Sequence, residues 1–194
     1  MVARPPVRLS VSEMTAEDIP AVHAIESASF PTPWPPYAFR EEIEANRMAH
    51  YLVVRAGGRV IAYAGIWLMV DEAHVTTFAV LPAYRRRGIG GLLLSELMAM
   101  CADLGAALCT LEVRLTNAAA RTLYQEFGFK PVGVRPRYYS DNGEDALIMT
   151  TDRLATAEMQ RLMAHKAARY RTDVLVDDPG YVPDPHAPPE VLDA

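Results

Sequence analysis

Three places in the chain carry side chains whose type and spacing suit chemistry. The first is the run Arg85-Arg86-Arg87-Gly88-Ile89-Gly90, between a strand-like stretch and a helix-like one. Its glycines let backbone come close to a ligand, and a helix start exposes free amides at its positive end, the usual seat of a phosphate. Guanidinium groups add charge-assisted bonds. A solvated basic turn easing the helix start is the plainer alternative. Leu93 stands where a Gly-x-Gly-x-x-Gly fingerprint needs its third glycine, and no Gly-Lys-Ser/Thr follows. The second place is Glu112, which interrupts the apolar run from Leu108 to Arg114. A carboxylate there needs a partner or water, and Arg114, two residues on and on the same strand face, is one candidate. The third is Asn117 with Tyr124, seven residues apart. Seven helical steps of about 100° fall about 20° short of two turns, so the two share a face. Tyr124 also reads as an ordinary core aromatic beside Leu123 and Phe127.

Other residues carry weaker readings. Trp34 and Tyr37, on a loop stiffened by prolines, and Tyr138 and Tyr139, near a late hairpin, are suited either to grip a peptide substrate or to cover a sheet edge. Cys101 and Cys109 have no base or second thiol at useful spacing, which speaks against a thiol nucleophile. The five histidines are scattered without metal-ligand spacing, so no metal is expected. A net charge of -5 disfavours nonspecific nucleic-acid binding. The apolar runs are too short for a membrane span, and no secretory signal is read at Met1-Val2-Ala3-Arg4-Pro5-Pro6. A cytoplasmic location, without membrane or direct nucleic-acid partner, is the expectation.

The elements that must position these residues follow from periodicity. Strands are predicted over Val7 to Met14, Tyr51 to Arg55, Val60 to Val70 and Ala73 to Val80, an antiparallel meander with a hairpin at Ala56-Gly57-Gly58-Arg59. Helices are predicted from the Thr15 cap to Ser29 and from Tyr37 to about Arg47, around a segment whose four prolines exclude regular helix. Apolar residues at three- and four-residue steps make Gly88 to Leu104 a helix. A strand over Leu108 to Arg114, a helix over Asn117 to Phe127 closed by Gly128, and strands over Phe129 to Tyr139 and Ala146 to Asp152 complete the pattern. Alternation of strand and helix here implies parallel pairing. The fold class is α/β (α+β in some schemes), a mixed sheet of about seven strands flanked by helices. A domain over residues 1–154 would precede a C-terminal extension over 155–194. In the extension, Ala155 to Arg169 reads as a helix, Val174-Leu175-Val176 as a segment able to add at an edge, and Asp177 to Ala194, with five prolines, as extended or disordered.

Arg85, Gly88 and Gly90 match the Gln/Arg-x-x-Gly-x-Gly/Ala motif of the GNAT N-acetyltransferase superfamily, which this chain resembles. The stretch Leu111 to Phe129, Phe30-Pro31 with Trp34, Asp71-Glu72-Ala73, and Arg137-Tyr138-Tyr139 before Asn142-Gly143-Glu144-Asp145-Ala146 resemble its RimI-type branch over roughly residues 7 to 154. That branch acetylates the N-terminal alanine of small-subunit ribosomal protein eighteen. The resemblance implies acetyl-coenzyme A as cosubstrate and direct attack by an amine, with Glu112 as general base and Tyr124 as general acid. It assigns Phe78, Ala79 and Val80 to the acetyl and pantetheine portion and Asn117 to a further cofactor contact. Arg85, Arg86, Arg87, Gly88, Ile89, Gly90 and Gly91 fall to the pyrophosphate. A protein N-terminus, that of a ribosomal protein, is the implied partner. An α-amine suits a single carboxylate base: freeing it at pH 7.4 costs on the order of 0.5 kcal/mol, against about 4 for lysine.

Overall fold

Val7, Leu9 and Val11 alternate with polar or charged residues, and that period of two makes Pro6–Glu13 a strand (β1) with one apolar face. The computed structural model describes residues 6–170 and 175–177. The further strands are β2 (Ala49–Ala56), β3 (Arg59–Met69), β4 (Glu72–Val80), β5 (Leu108–Arg114), β6 (Lys130–Tyr139), β7 (Glu144–Thr150) and β8 (Leu175–Asp177). They form one mixed sheet in the order β6-β7-β5-β4-β3-β2-β1-β8, in which β4 and β5 pair in parallel and the other neighbours antiparallel.

Among the described residues five α-helices cover the sheet: α1 (Ile19–Ser29), α2 (Pro36–Glu44), α3 (Ile89–Asp103), α4 (Ala118–Glu126) and α5 (Ala157–Arg169). Thr15 and Asp18 form the capping box read from the sequence, but it closes a single 3-10 turn, and α1 begins at Ile19 with Pro20 in its first turn. Likewise α2 starts on Pro36, whose missing N–H costs nothing at that position. Two apolar clusters separate the faces. Val22, Phe39, Val53 and Tyr63 pack under α1 and α2. Leu93, Leu111, Tyr124 and Met159 pack with α3, α4 and α5 on the other side.

One pairing differs from the expectation. The parallel step holds between β4 and β5, but β6 does not pair with β5, because β7 lies between them, antiparallel to both. The turn after β6 is short, so β7 returns along it at once and takes the place beside β5.

The extension adds one more helix and strand. Thr156 caps α5 by accepting the Met159 N–H at 3.3 Å. Met159 and Leu162 pack where Gly128 has no side chain, and the Tyr170 ring stacks on Phe127 at 5.9 Å and fills the notch left by Gly91. Val7 pairs with Val176 of β8. Val174 and the proline-rich stretch beyond Asp177 lie outside the described residues. No described helix is long and apolar enough to cross a membrane.

Candidate active site

The opening in the sheet comes from a single extra residue. Gly65 aligns with Thr77 and Ile66 with Val75, so Thr76 is a bulge in β4. An inserted residue bends the strand and exchanges the faces of everything after it. Val75 points to the α3 side before the bulge; after it Phe78 and Val80 do, and Ala79 joins the α1 side. The two central strands pair only over Glu72–Val75 and Leu108–Leu111, then diverge. A cavity of about 590 Å³ fills the gap and is lined from both faces, by Phe30 and Trp34 on one side and by Asn117 and Tyr124 on the other.

Glu112 alternates with Leu111 and Val113, both in the α3-side cluster, and so projects to the α1 side of the cavity. Its partner is not Arg114. One carboxylate oxygen lies 2.6 Å from His74 Nε2 and the other 3.1 Å from the Arg135 guanidinium. Arg114 instead holds Asp141 at 2.7 Å, with Glu144 and Asn142 at 3.1 Å, and lies 3.8 Å over the Tyr139 ring. It thereby fixes the hairpin that carries Tyr138 and Tyr139. Those two are successive residues yet both line the cavity, which a regular strand forbids. The bulge between Arg135 and Tyr139 permits it: Arg137 takes φ +49° and its N–H donates to Asp145 Oδ1 at 2.8 Å. Burial pushes the Tyr139 hydroxyl up to about 12 against the lowering pull of Arg114, and burial with nearby Glu112 raises that of Tyr138.

On the opposite side, Asn117 caps α4 by accepting the Ala120 N–H at 3.1 Å, and Tyr124, almost two turns later, meets the same cavity. Tyr124 is buried against Phe78 and Phe129, and that burial raises its phenol well above the ordinary value, with Tyr139 adding to the rise. It is therefore a neutral O–H throughout the physiological range. Tyr124 is a core aromatic that also borders the cavity.

The glycine–arginine loop sits at the edge of this side. Arg86 takes φ +65° and Gly88 φ +82°, turning the chain into α3. Among the described residues no side chain caps α3, although Asn117 and Thr156 cap α4 and α5. The first helical bond runs from the Leu92 N–H to the Gly88 carbonyl, and among the described residues the amides of Ile89, Gly90 and Gly91 have no backbone partner. A Cβ on Gly90 would stand 3.3 Å from Leu123 and 3.9 Å from Phe78, both of which line the cavity, so the loop adjoins it. These features fit a diphosphate-bearing cosubstrate whose chain enters between α3 and α4.

Not every expected residue is placed alike. Trp34, Phe78, Glu112, Asn117, Tyr124, Tyr138 and Tyr139 meet at the cavity. Tyr37 is 72% exposed and outside it, because α2 turns its first residues to solvent. Ala79 and Ile89 are core residues, leaving only their backbone for a ligand. The Arg85 guanidinium is engaged with the Val80 carbonyl at 2.9 Å and Ser29 Oγ at 3.1 Å, bracing the loop against β4 and α1. Arg86 and Arg87 remain exposed. Among the cavity residues not singled out from the sequence, three carry ionisable side chains: Glu26, His74 and Arg135. Glu26 is buried, accepts the Trp34 N–H at 3.0 Å and the Tyr63 hydroxyl, and ties the proline-rich loop to the sheet. Only strand register could have revealed His74 and Arg135, which neighbour Glu112 from β4 and β6.

Comparison with known proteins agrees with this architecture. The acetyltransferase (GNAT) family matches residues 19–129. A protein of Bacillus subtilis (strain 168), provisionally named a ribosomal protein bS18-alanine N-acetyltransferase, is 42% identical over 142 residues, covering 73% of this chain and 94% of that protein. The Escherichia coli (strain K12) ribosomal protein bS18-alanine N-acetyltransferase is 34% identical over 142 residues, 72% of this chain and 95% of that one. The crystal structure of the ribosomal-protein-S18-alanine N-acetyltransferase from Escherichia coli superimposes with a TM-score of 0.68 at 33% identity, over 74% and 92% of the two chains. With a parallel pair opened by a bulge, an uncapped glycine-rich helix start beside it and these relatives, the chain belongs to the GNAT family of acetyltransferases.

Proposed function

We propose that this chain transfers acetyl from acetyl-coenzyme A to the N-terminal α-amine of alanine in ribosomal protein bS18, the acceptor for which its relatives are named. The observation that carries the reading is the division of the cavity: Glu112 projects from the α1 side and Tyr124 from the α3 side of one opening. In direct transfer the amine loses a proton on one side of the reacting carbonyl and the departing thiolate gains one on the other, so base and acid belong on opposite walls. The α3 amides with Arg86 and Arg87 hold the pyrophosphate, and Asn117 and the backbone of Phe78, Ala79 and Val80 guide the pantetheine. On β4 past the bulge, the edge away from β3 has no strand partner among the described residues, and its N–H groups receive the developing oxyanion. Trp34, Tyr138 and Tyr139 wall the peptide side, whereas Tyr37 lies beyond it. Activity at a ribosomal protein accords with a cytoplasmic location, with a protein N-terminus as partner and no metal in the chemistry.

Thiol release from acetyl-coenzyme A in the presence of bS18 with a free N-terminal alanine tests this. Release is expected with the native protein and not with the same protein already N-acetylated. Equal release from both, or release without any acceptor, would overturn it.

A further inference from the structure

Glu112 is poorly placed to receive a proton by itself. Its side chain is 5% exposed, one oxygen faces His74 and the other Arg135, so both carboxylate oxygens are already engaged. His74 is the more open member, with 26% of its side chain exposed, and it lines the same cavity. It precedes the bulge on β4, aligned with Thr110 on β5 two residues short of Glu112, so both project to the α1 side. A carboxylate beside Nε2 favours the tautomer that carries the proton there and leaves Nδ1 as an acceptor, the arrangement in which a carboxylate fixes tautomer and orientation.

Resting on the acetyl-transfer reading above, we propose that His74 is the catalytic residue that takes the proton from the attacking amine, and that Glu112 is a positioning residue acting through it. The amine nitrogen forms the new C–N bond and gives its proton to His74 Nδ1, the C–S bond breaks, and the thiolate takes the Tyr124 proton. The imidazolium is stabilised by Glu112 at 2.6 Å. Arg135 bonds the other Glu112 oxygen and orients the carboxylate. Of the other charged or titratable groups at the cavity, Arg114 is held by Asp141 and Glu144. Tyr138 and Tyr139 face it from β6 with raised phenols, and Glu72 is exposed two residues earlier on the same strand. Glu26 reaches the cavity from α1 but is tied to Trp34 and Tyr63.

The test compares wild type, His74→Gln, His74→Ala and Glu112→Gln with acetyl-coenzyme A and an alanine-starting peptide between about pH 5.5 and 9. Glutamine at position 74 keeps a donor for Glu112, so a folding defect is separated by thermal midpoint and by acetyl-coenzyme A affinity, neither of which should move. Both His74 variants are expected to lose on the order of 100-fold in kcat, the usual worth of a positioned base. Added imidazole should restore part of the rate in His74→Ala and none in Glu112→Gln. Wild-type rates in the His74 variants overturn the proposal, as does a slow His74→Ala that imidazole leaves unchanged. Failure of wild type itself to acetylate the peptide would instead count against the acetyl-transfer reading.

Discussion

At the scale of single residues, the division of labour rests on protonation states set by surroundings. Burial keeps the Tyr124 phenol protonated, and in the proposed transfer its hydroxyl is the proton carrier on the thiolate side. Tyr124→Phe preserves the packing on Phe78 and Phe129 and removes only the proton. It should lower kcat on the order of 100-fold with little change in peptide KM, measured by steady-state kinetics. Equal turnover would leave Tyr124 as packing alone. Glu112 and Tyr124 were legible from the sequence because one broke an apolar run and the other shared a helix face with Asn117, helped by the family resemblance. His74 was not legible. It sits in a strand 38 positions before Glu112, and the two meet only through the parallel register of β4 on β5. Arg114 misled for a related reason: the right face placed it near Glu112, but the acidic β6–β7 turn offered it three oxygens.

At the scale of elements, the opening depends on the bulge and on the ladders around it. Gly65 sits beside the bulge, and a Cβ there would stand 2.3 Å from the Tyr51 ring, itself buried and bonded to Glu42 at 3.0 Å. A ring in a packed cluster cannot yield like a flexible tail, so Gly65→Ala should destabilise by about 1–3 kcal/mol in denaturant unfolding. A second prediction concerns the junction leading into α4. Glu144 accepts the Thr116 hydroxyl at 2.7 Å and its N–H at 2.9 Å, and these bonds, with Arg114 and Asn142, lower its carboxyl to about 2. A folded value below the ordinary 4.5 means the bonds stabilise fully above that pH and are lost as pH falls towards about 2. Hydrogen exchange at the Thr116 amide should accelerate across this window in wild type, and a Glu144→Gln variant should lack that pH-dependent step. The strand and helix types were readable from period two and period 3.6 along nearly the whole chain. Neither the bulge at Thr76 nor the insertion of β7 beside β5 was, because bulges and strand order are set by pairing partners distant in sequence.

At the scale of the whole molecule, the sheet separates two approaches and the break between β4 and β5 joins them. The extension packs on the side proposed for the cosubstrate: α5 and Tyr170 lie against α3 and α4 and place a ring in the notch at Gly91. The relatives match about three quarters of this chain and nearly all of their own lengths. Met159 is 3% exposed in the cluster that α5 completes, and Met159→Ala should cost about 2–5 kcal/mol in denaturant unfolding. A cost below about 0.5 kcal/mol would show α5 to be loosely attached. The central claim is that the amine delivered to the opening is an N-terminal one. The most direct measurement is tandem mass spectrometry of a peptide that begins with alanine and carries an internal lysine, after incubation with the protein and acetyl-coenzyme A. The account predicts acetyl on the α-amine and none on the lysine, whereas acetyl on the lysine side chain, or an unmodified peptide, would contradict it.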